Sequence, residues 1–439
     1  MVSKQKKMGL WMATALVIGN VIGSGIFMLP ASLVQFGIYG ISGWVLTGIG
    51  SIALALVFGR LSHRFPKVGG PYAYSRYAYG DFVGFQVAWG YWIAVWVSTA
   101  ALVITAVSYA AVIIPPLADP LTGTLAAVGI VWFFTLVNMK GTHTAGALQV
   151  LMTLLKLIPI VLIGLGGWFF VSSENFLALE PQGVTPFSAL AQAGALTLFA
   201  FIGIESATIP ANDVDKPHIN IPRATIIGTV VCAVLYVLVT AAVMGIVPPE
   251  VLSSSKAPFV DAVQRMVPGA FSPWVKYFVI VSALVSCLGA TNGWILLQAQ
   301  VPFAAAKDNL FPKIFGTANA KGVPMFGLIS SSVFITIFLF ATMSPTLVEQ
   351  FNTIAIISVF TILVPYLYSS VAEVLLIAKG EIAVSPFQQK VSILIALIAF
   401  CYALWAMAGS GETVVLFGML FLLASIPIYT LIRRRRKER

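Results

Sequence analysis

Twelve apolar segments follow one another along this chain, at about 8–35, 41–60, 83–114, 123–139, 147–171, 189–211, 223–247, 273–304, 323–342, 350–377, 391–408 and 413–432. A helix needs roughly 20 apolar residues to cross the hydrocarbon of a bilayer. Most of these segments are apolar on all sides rather than striped, as a membrane span is. Only 9% of the residues are charged and the mean hydropathy is +0.96, whereas a soluble domain carries about 25% charged residues. The chain reads as an all-α polytopic membrane protein, one transmembrane domain over residues 1–432 with a basic tail at 433–439.

A net charge of +10 would suggest nucleic acid until the charges are placed. With the N-terminus in the cytoplasm, Lys256, Arg265 and Lys276 fall outside and Lys156 falls within a span. The remaining Lys and Arg lie on the cytoplasmic side, the pattern that orients membrane proteins. The basic balance therefore reports topology, with both termini cytoplasmic and no nucleic-acid partner. The run Arg433-Arg434-Arg435-Arg436-Lys437 reads as a stop-transfer anchor, with anionic lipid contact as the alternative. Lys4, Lys6 and Lys7 lead into the first span without a small-residue cleavage site, so no cleavable signal peptide is expected. Cys232, Cys287 and Cys401 all lie in spans and read as packed thiols. His63, His143 and His218 lie in separate cytoplasmic loops, and no metal or cofactor site is expected.

Polarity inside the spans is rare and placed. Gly19-Asn20-Val21-Ile22-Gly23-Ser24-Gly25-Ile26-Phe27 puts three glycines and an asparagine near mid-span. Each glycine costs a helix interior about 1 kcal/mol against alanine. Non-helical backbone survives at that depth only under protein or beside water. Two half-helices meeting at Gly23–Gly25 are expected, the second starting around Ile26. Its free N–H groups and positive dipole end would face an anion such as a carboxylate. The alternative is a small-residue packing seam.

Span six repeats the device in Phe199-Ala200-Phe201-Ile202-Gly203-Ile204-Glu205-Ser206, closed by the polar stretch Asn212-Asp213-Val214-Asp215-Lys216-Pro217. Glu205 is an intramembrane acid and a functional candidate, although it could serve only local backbone N–H groups. The breaks fall in the first span of each five-span half, which points to inverted repeats at about 8–171 and 189–377 with extra helices at 391–432. Lys156 sits mid-way along span five, where a lysine costs roughly 2.5–3.5 kcal/mol and needs a partner or polar cavity. Gly69-Gly70-Pro71-Tyr72-Ala73-Tyr74 reads as a helix-breaking, interfacial gating segment or as part of an aromatic belt. Trp294 could face a cavity or pack between helices. Glu373 is the other clear acid within a span.

Together, Gly23-Ser24-Gly25-Ile26-Phe27 with Pro30, the Gly69–Tyr74 loop, Phe201–Ser206, Asn212–Pro217 and Val364-Pro365-Tyr366-Leu367-Tyr368 resemble the amino acid–polyamine–organocation (APC) superfamily. The likeness runs from about residue 8 to 432 and is nearest to bacterial basic amino acid/polyamine antiporters of the arginine/agmatine and cadaverine/lysine kind. The resemblance implies a LeuT-type five-plus-five inverted repeat with two additional C-terminal helices, and secondary amino acid transport at the inner membrane. It implies that Ser24, Gly25 and Ile26 bind the substrate carboxylate, and that carbonyls at Val21, Phe199 and Ile202 take the α-amino group. Ala94 and Thr99 would line the side-chain pocket, Trp294 would cover it, and Ser358 matches the helix-ten serine. Glu205 is implied in coupling, and Tyr74, Tyr91 and Tyr366 in gating.

The sequence departs from the arginine antiporters where they carry a tryptophan in helix six and an asparagine in helix three; here stand Phe199 and Thr99. Lys156 resembles instead the helix-five lysine of sodium-independent, proton-coupled APC transporters. An ammonium there would neutralise helix-one carbonyls or carry the coupling proton. The leading expectation is an amino acid antiporter working by alternating access, with a proton-coupled permease using Lys156 as the alternative. The partners would be an amino acid or polyamine, protons, the bilayer and a second copy of the chain. A channel would need carbonyl or charged rings, and an enzyme a cluster of reactive groups; the sequence offers neither. A non-transporting amino acid sensor is the remote alternative.

Overall fold

The computed structural model describes residues 7–65, 69–140, 156–177, 185–208, 214–269, 271–320 and 322–437. Asn212, Asp213 and His143 lie outside the described residues.

The first span divides into α1 (Leu10–Val21) and α2 (Ser24–Leu33). Then come α3 (Ile38–Arg64), the short α4 (Pro71–Tyr79), α5 (Asp81–Ala110) and α6 (Pro120–Met139). The described part of span five is α7 (Lys156–Phe170). α8 (Pro186–Phe199) opens span six, and α9 (Pro217–Ile246) is span seven. The amphipathic α10 (Pro258–Met266) lies between spans. The rest are α11 (Ser272–Lys307), α12 (Met325–Ala341), α13 (Leu347–Ala378), α14 (Pro386–Gly409), α15 (Glu412–Leu423) and α16 (Ser425–Lys437).

Local sequence explains many boundaries. Proline occupies a first helical position at Pro71, Pro120, Pro186, Pro217, Pro258 and Pro386, where its missing N–H costs nothing. Asp119 caps α6 by accepting from Thr122 N at 2.9 Å, and Ser385 with Gln388 forms a capping box on α14. The backbone bonds of Thr122 hold the Asp119 carboxyl below the usual carboxylate range.

Among the described residues, nine helices are long and apolar enough to span, and Lys156–Phe170, Pro186–Phe199 and Met325–Ala341 are shorter apolar helices. These match the twelve expected segments, in a helical polytopic membrane fold of the LeuT type. Within span six, read over 189–211, α8 stops at Phe199, where the stretch Phe199–Ser206 reads as a break. One boundary differs. The last span does not end at 432: α16 carries the helix through the basic run to Lys437.

Helices α1, α3, α8 and α9 pack as one group, and α5, α6, α11 and α12 as a second. α13 lies against α5 and carries α14 on its other side. In α5, 94% of the most apolar window is buried, which makes it the central post. Cys232 and Cys287 are packed as expected, whereas Cys401 is exposed on the outer face of α14. His63 and His218 are not separate: His63 Nδ1 lies 2.6 Å from the His218 carbonyl oxygen, because α3 and α9 are neighbours.

Candidate functional site

The first break is short. α1 ends at Val21, Ile22 is extended, and α2 begins at Ser24 rather than near Ile26. The earlier start follows from Gly23, whose φ of −122° and ψ of −129° turn the chain within one residue. The N–H groups of Ser24, Gly25 and Ile26 therefore occupy the first turn of α2, where helix geometry leaves them without intrahelical acceptors. Ser24 Oγ is 1% exposed and has no partner among the described residues.

The second break faces the first. After Phe199 the backbone turns through Gly203, whose φ of +109° suits glycine, into a 3-10 turn at Ser206–Thr208. A β-carbon at Gly25 would come within 2.6 Å of the Ala200 β-carbon, so only glycine admits this approach.

Two side chains hold the frayed backbone. The Tyr236 hydroxyl, on α9, lies 2.8 Å from the Val21 carbonyl and 3.0 Å from the Ala200 carbonyl, one in each break. Its ring packs between Trp44 and Phe201, at 4.8 and 5.2 Å between centroids. Lys156 Nζ donates to the Gly19 and Ile22 carbonyls at 2.5 and 2.6 Å. An ammonium at the C-terminal, negative end of α1 is electrostatically well placed.

Glu205 is fully buried just beyond the second break, with one oxygen accepting from Tyr91 and the other from Tyr366, each at 2.7 Å. Two of the expected gating tyrosines thus converge on the expected coupling acid. Tyr74, buried on α4, does not share that carboxylate.

Between the breaks lies a cavity of about 20 Å³, bounded by Asn20, Val21, Gly23, Ser24 and Gly25 on one side. Phe199, Ala200 and Ile202 form the facing wall, with Ser98 and Leu102 of α5 and Trp294 of α11 closing it. That is room for about one water. Val21, Ser24, Gly25, Phe199, Ile202 and Trp294, named from the sequence as substrate-binding candidates, are among the residues that line it.

Ala94, Thr99, Ile26 and Ser358 do not line the cavity. Thr99 turns its hydroxyl back onto the Val95 carbonyl at 2.9 Å. Ser358 sits behind Ser98 and shares a hydroxyl–hydroxyl hydrogen bond with it. Ala94 and Ile26 are wholly buried. Tyr236, Asn20, Ser98 and Leu102 were not singled out from the sequence as site residues. Tyr236 had a usable signal, since a hydroxyl in an apolar span needs an acceptor.

Ion pairs gather at the end of the bundle that carries the start of α1 and the end of α16. Arg76 joins Asp81 at 3.0 Å and Asp308 at 2.8 Å, and the Tyr72 hydroxyl donates to Asp308 at 2.6 Å. Burial and the Asp308 carboxylate push the Tyr72 hydroxyl well above its ordinary pKa. Arg433 of α16 reaches Asp81 at 3.4 Å. Arg60 and Arg64 hold the buried Glu373 at 2.8 and 3.5 Å. At the opposite end, a more open cavity of about 270 Å³ lies beside Val112, Lys256 and Asp261. Burial raises the Asp261 carboxyl against the Ser255 hydrogen bond and the charges of Arg265 and Lys276.

A family profile described as amino acid permease matches residues 8–430. The chain is 32% identical to the putrescine transporter PotE of Escherichia coli (strain K12) over 434 residues, covering 99% of this chain and 98% of that protein. It is 31% identical to the PotE of Haemophilus influenzae over 430 residues, with 98% of each covered. A cadaverine/lysine antiporter of Escherichia coli (strain K12) is 34% identical over 375 residues, covering 84% of this chain and 83% of that one.

Proposed function

The chain belongs to the amino acid permease family of the APC superfamily, and from that membership we propose that it exchanges amino acids or related amines across the inner membrane by alternating access. A relative named as a cadaverine/lysine antiporter supports exchange, and one named as a putrescine transporter supports transport of amines. The observation that carries the reading is the pair of helix breaks facing each other across one cavity. The substrate carboxylate would accept from the N–H groups of Ser24, Gly25 and Ile26 and from the Ser24 hydroxyl. Its α-amino group would donate to carbonyls at Phe199 and Ile202, with Val21 contributing once Tyr236 shifts toward Ala200.

Trp294 would cover the side chain, and Ser358 would act through Ser98. The group containing α1, α8 and α9 would rock against the group containing α5 and α11. Tyr91 and Tyr366 would gate by exchanging partners on Glu205, while the Arg76–Asp308 pair would part when the adjoining end opens. Both termini would lie in the cytoplasm, and a homodimer fits the reading.

A second reading has a specific observation in its favour. Lys156 spans two carbonyls of the first break, so a proton lost from its ammonium would loosen the site directly. That would make the chain a sodium-independent, proton-coupled permease. Proteoliposomes separate the two readings. An exchanger takes up labelled amino acid only when preloaded; a proton-coupled permease fills empty vesicles under an inward proton gradient.

A further inference from the structure

The last span stands apart from the bundle it closes. Only 12% of its most apolar window is buried, against 94% in α5. Leu416, Met419, Leu420, Phe421, Leu423 and Leu431 are all exposed along it, as suits a helix facing hydrocarbon. Its hold on the bundle includes a short ladder of contacts to α5. Trp89 Nε1 donates to the Phe421 carbonyl at 3.2 Å. The Tyr429 ring lies 5.2 Å from both Phe82 and Phe85 between centroids. Arg433 donates to the Tyr429 hydroxyl at 2.9 Å and reaches Asp81 at 3.4 Å. From there α16 continues as helix to Lys437, through five consecutive basic residues.

We propose that this end of α16 docks on the headgroup of an anionic phospholipid, which competes with Asp81 for Arg433. The contact with Asp81 is easily given up. Asp81 already has Arg76 at 3.0 Å, while the Arg433 guanidinium is 48% exposed and stands further off. An exposed ion pair of that kind contributes little and is screened by salt. A guanidinium fits the paired oxygens of a phosphate as it fits a carboxylate. The basic run begins where the exposed apolar face ends, so it meets the headgroup layer, where anionic lipid attracts each Lys or Arg. Soluble phosphate offers the same oxygens without the apolar neighbour, and the exposed face favours the lipid.

When the headgroup takes Arg433, Asp81 remains with Arg76, and α16 keeps its ring contacts to α5. The clasp closes on the corner where Arg76 of α4 pairs at 2.8 Å with Asp308, just past the end of α11. Docking therefore frees the start of α5 beside that ion pair. This goes beyond the transport reading; only its consequence, faster exchange in anionic membranes, rests on it.

The test places spin labels at Leu431→Cys on α16 and Lys307→Cys on α11, both exposed positions, in the full-length chain. Cys401→Ser removes the exposed native thiol, and Cys232 and Cys287 are buried. Pulsed electron paramagnetic resonance measures the distance between the labels in nanodiscs of phosphatidylcholine alone or with one-third phosphatidylglycerol. The anionic bilayer should lengthen that distance by about 5 Å, the rise of one helical turn. Adding Arg433→Gln should give the longer distance in phosphatidylcholine alone. Inorganic phosphate added to phosphatidylcholine nanodiscs should leave the short distance unchanged. An equal distance in the two bilayers overturns the proposal, as does inorganic phosphate reproducing the shift or Arg433→Gln keeping the short distance. In proteoliposomes of the same lipids, the parent should exchange at least threefold faster with phosphatidylglycerol, and Arg433→Gln should be fast in both. Exchange by the parent at one rate in both would sever the clasp from transport. The distance change without any exchange upholds the docking and counts against the transport reading instead.

Discussion

The hydroxyl of Tyr236 lies 2.8 Å from the carbonyl oxygen of Val21, so a side chain of the seventh span holds the backbone of the first. The same oxygen is 3.0 Å from the Ala200 carbonyl in the second break. One hydroxyl thus lies against an acceptor in each break, which gives the two breaks a shared tether. Tyr236→Phe removes that donor and keeps the ring. Leaving a buried acceptor unsatisfied costs about 1–3 kcal/mol. The variant should melt lower and show a raised KM for exchange, as checked by thermal melting and proteoliposome uptake. Unchanged values of both would dismiss the tether.

Lys156 is the second tether, and it carries charge. Replacing it with methionine keeps the apolar length but abandons the Gly19 and Ile22 carbonyls. Uptake by Lys156→Met should fall at least tenfold under every gradient, and adding sodium to the parent should change nothing. Sodium-stimulated uptake in the parent would contradict the sodium-independent reading of Lys156.

Glu205 is buried between Tyr91 and Tyr366, and under the transport reading it would be the acid that senses protons. Glu205→Gln should fold, since an amide oxygen still accepts one tyrosine hydroxyl. Its exchange rate should become flat between acid and neutral pH where the parent's varies. Matching pH profiles in variant and parent would remove Glu205 from coupling.

Much of this was written in the sequence because the signals are local. Length and apolarity located the spans, the glycines of 23–25 located the first break, and a lysine amid apolar residues announced a buried charge in need of partners. What stayed hidden depends on contacts between distant segments. Thr99 looked like a pocket residue until its hydroxyl was seen folded back on Val95. Ser358 is one layer deeper than its family match implied, because Ser98 stands before it. The Phe199–Ser206 stretch announced a second break, but not that Ala200 would meet Gly25 across it. Cys401 reads like the other two cysteines, yet α14 lies at the rim of the bundle and leaves it exposed.

Glu373 illustrates a stabilising role distinct from transport. It is 3% exposed and held by Arg60 and Arg64, with Arg60 also donating to Ser392. Breaking a buried pair by removing one partner costs about 3–5 kcal/mol. Arg64, at 3.5 Å and partly exposed, should contribute about 0–1 kcal/mol. Thermal melts should therefore rank Glu373→Ala far below Arg64→Ala. Equal losses would mean that Arg60 is not the principal partner.

The most direct measurement compares two glycine variants in exchange assays on preloaded proteoliposomes. A β-carbon at Gly25 meets Ala200 at 2.6 Å, whereas one at Gly289 meets nothing within 4 Å. If substrate is exchanged where the two breaks meet, Gly25→Ala loses exchange by at least tenfold while remaining folded and inserted. Gly289→Ala keeps the parental rate. Exchange by Gly25→Ala at the parental rate would contradict a site between the breaks.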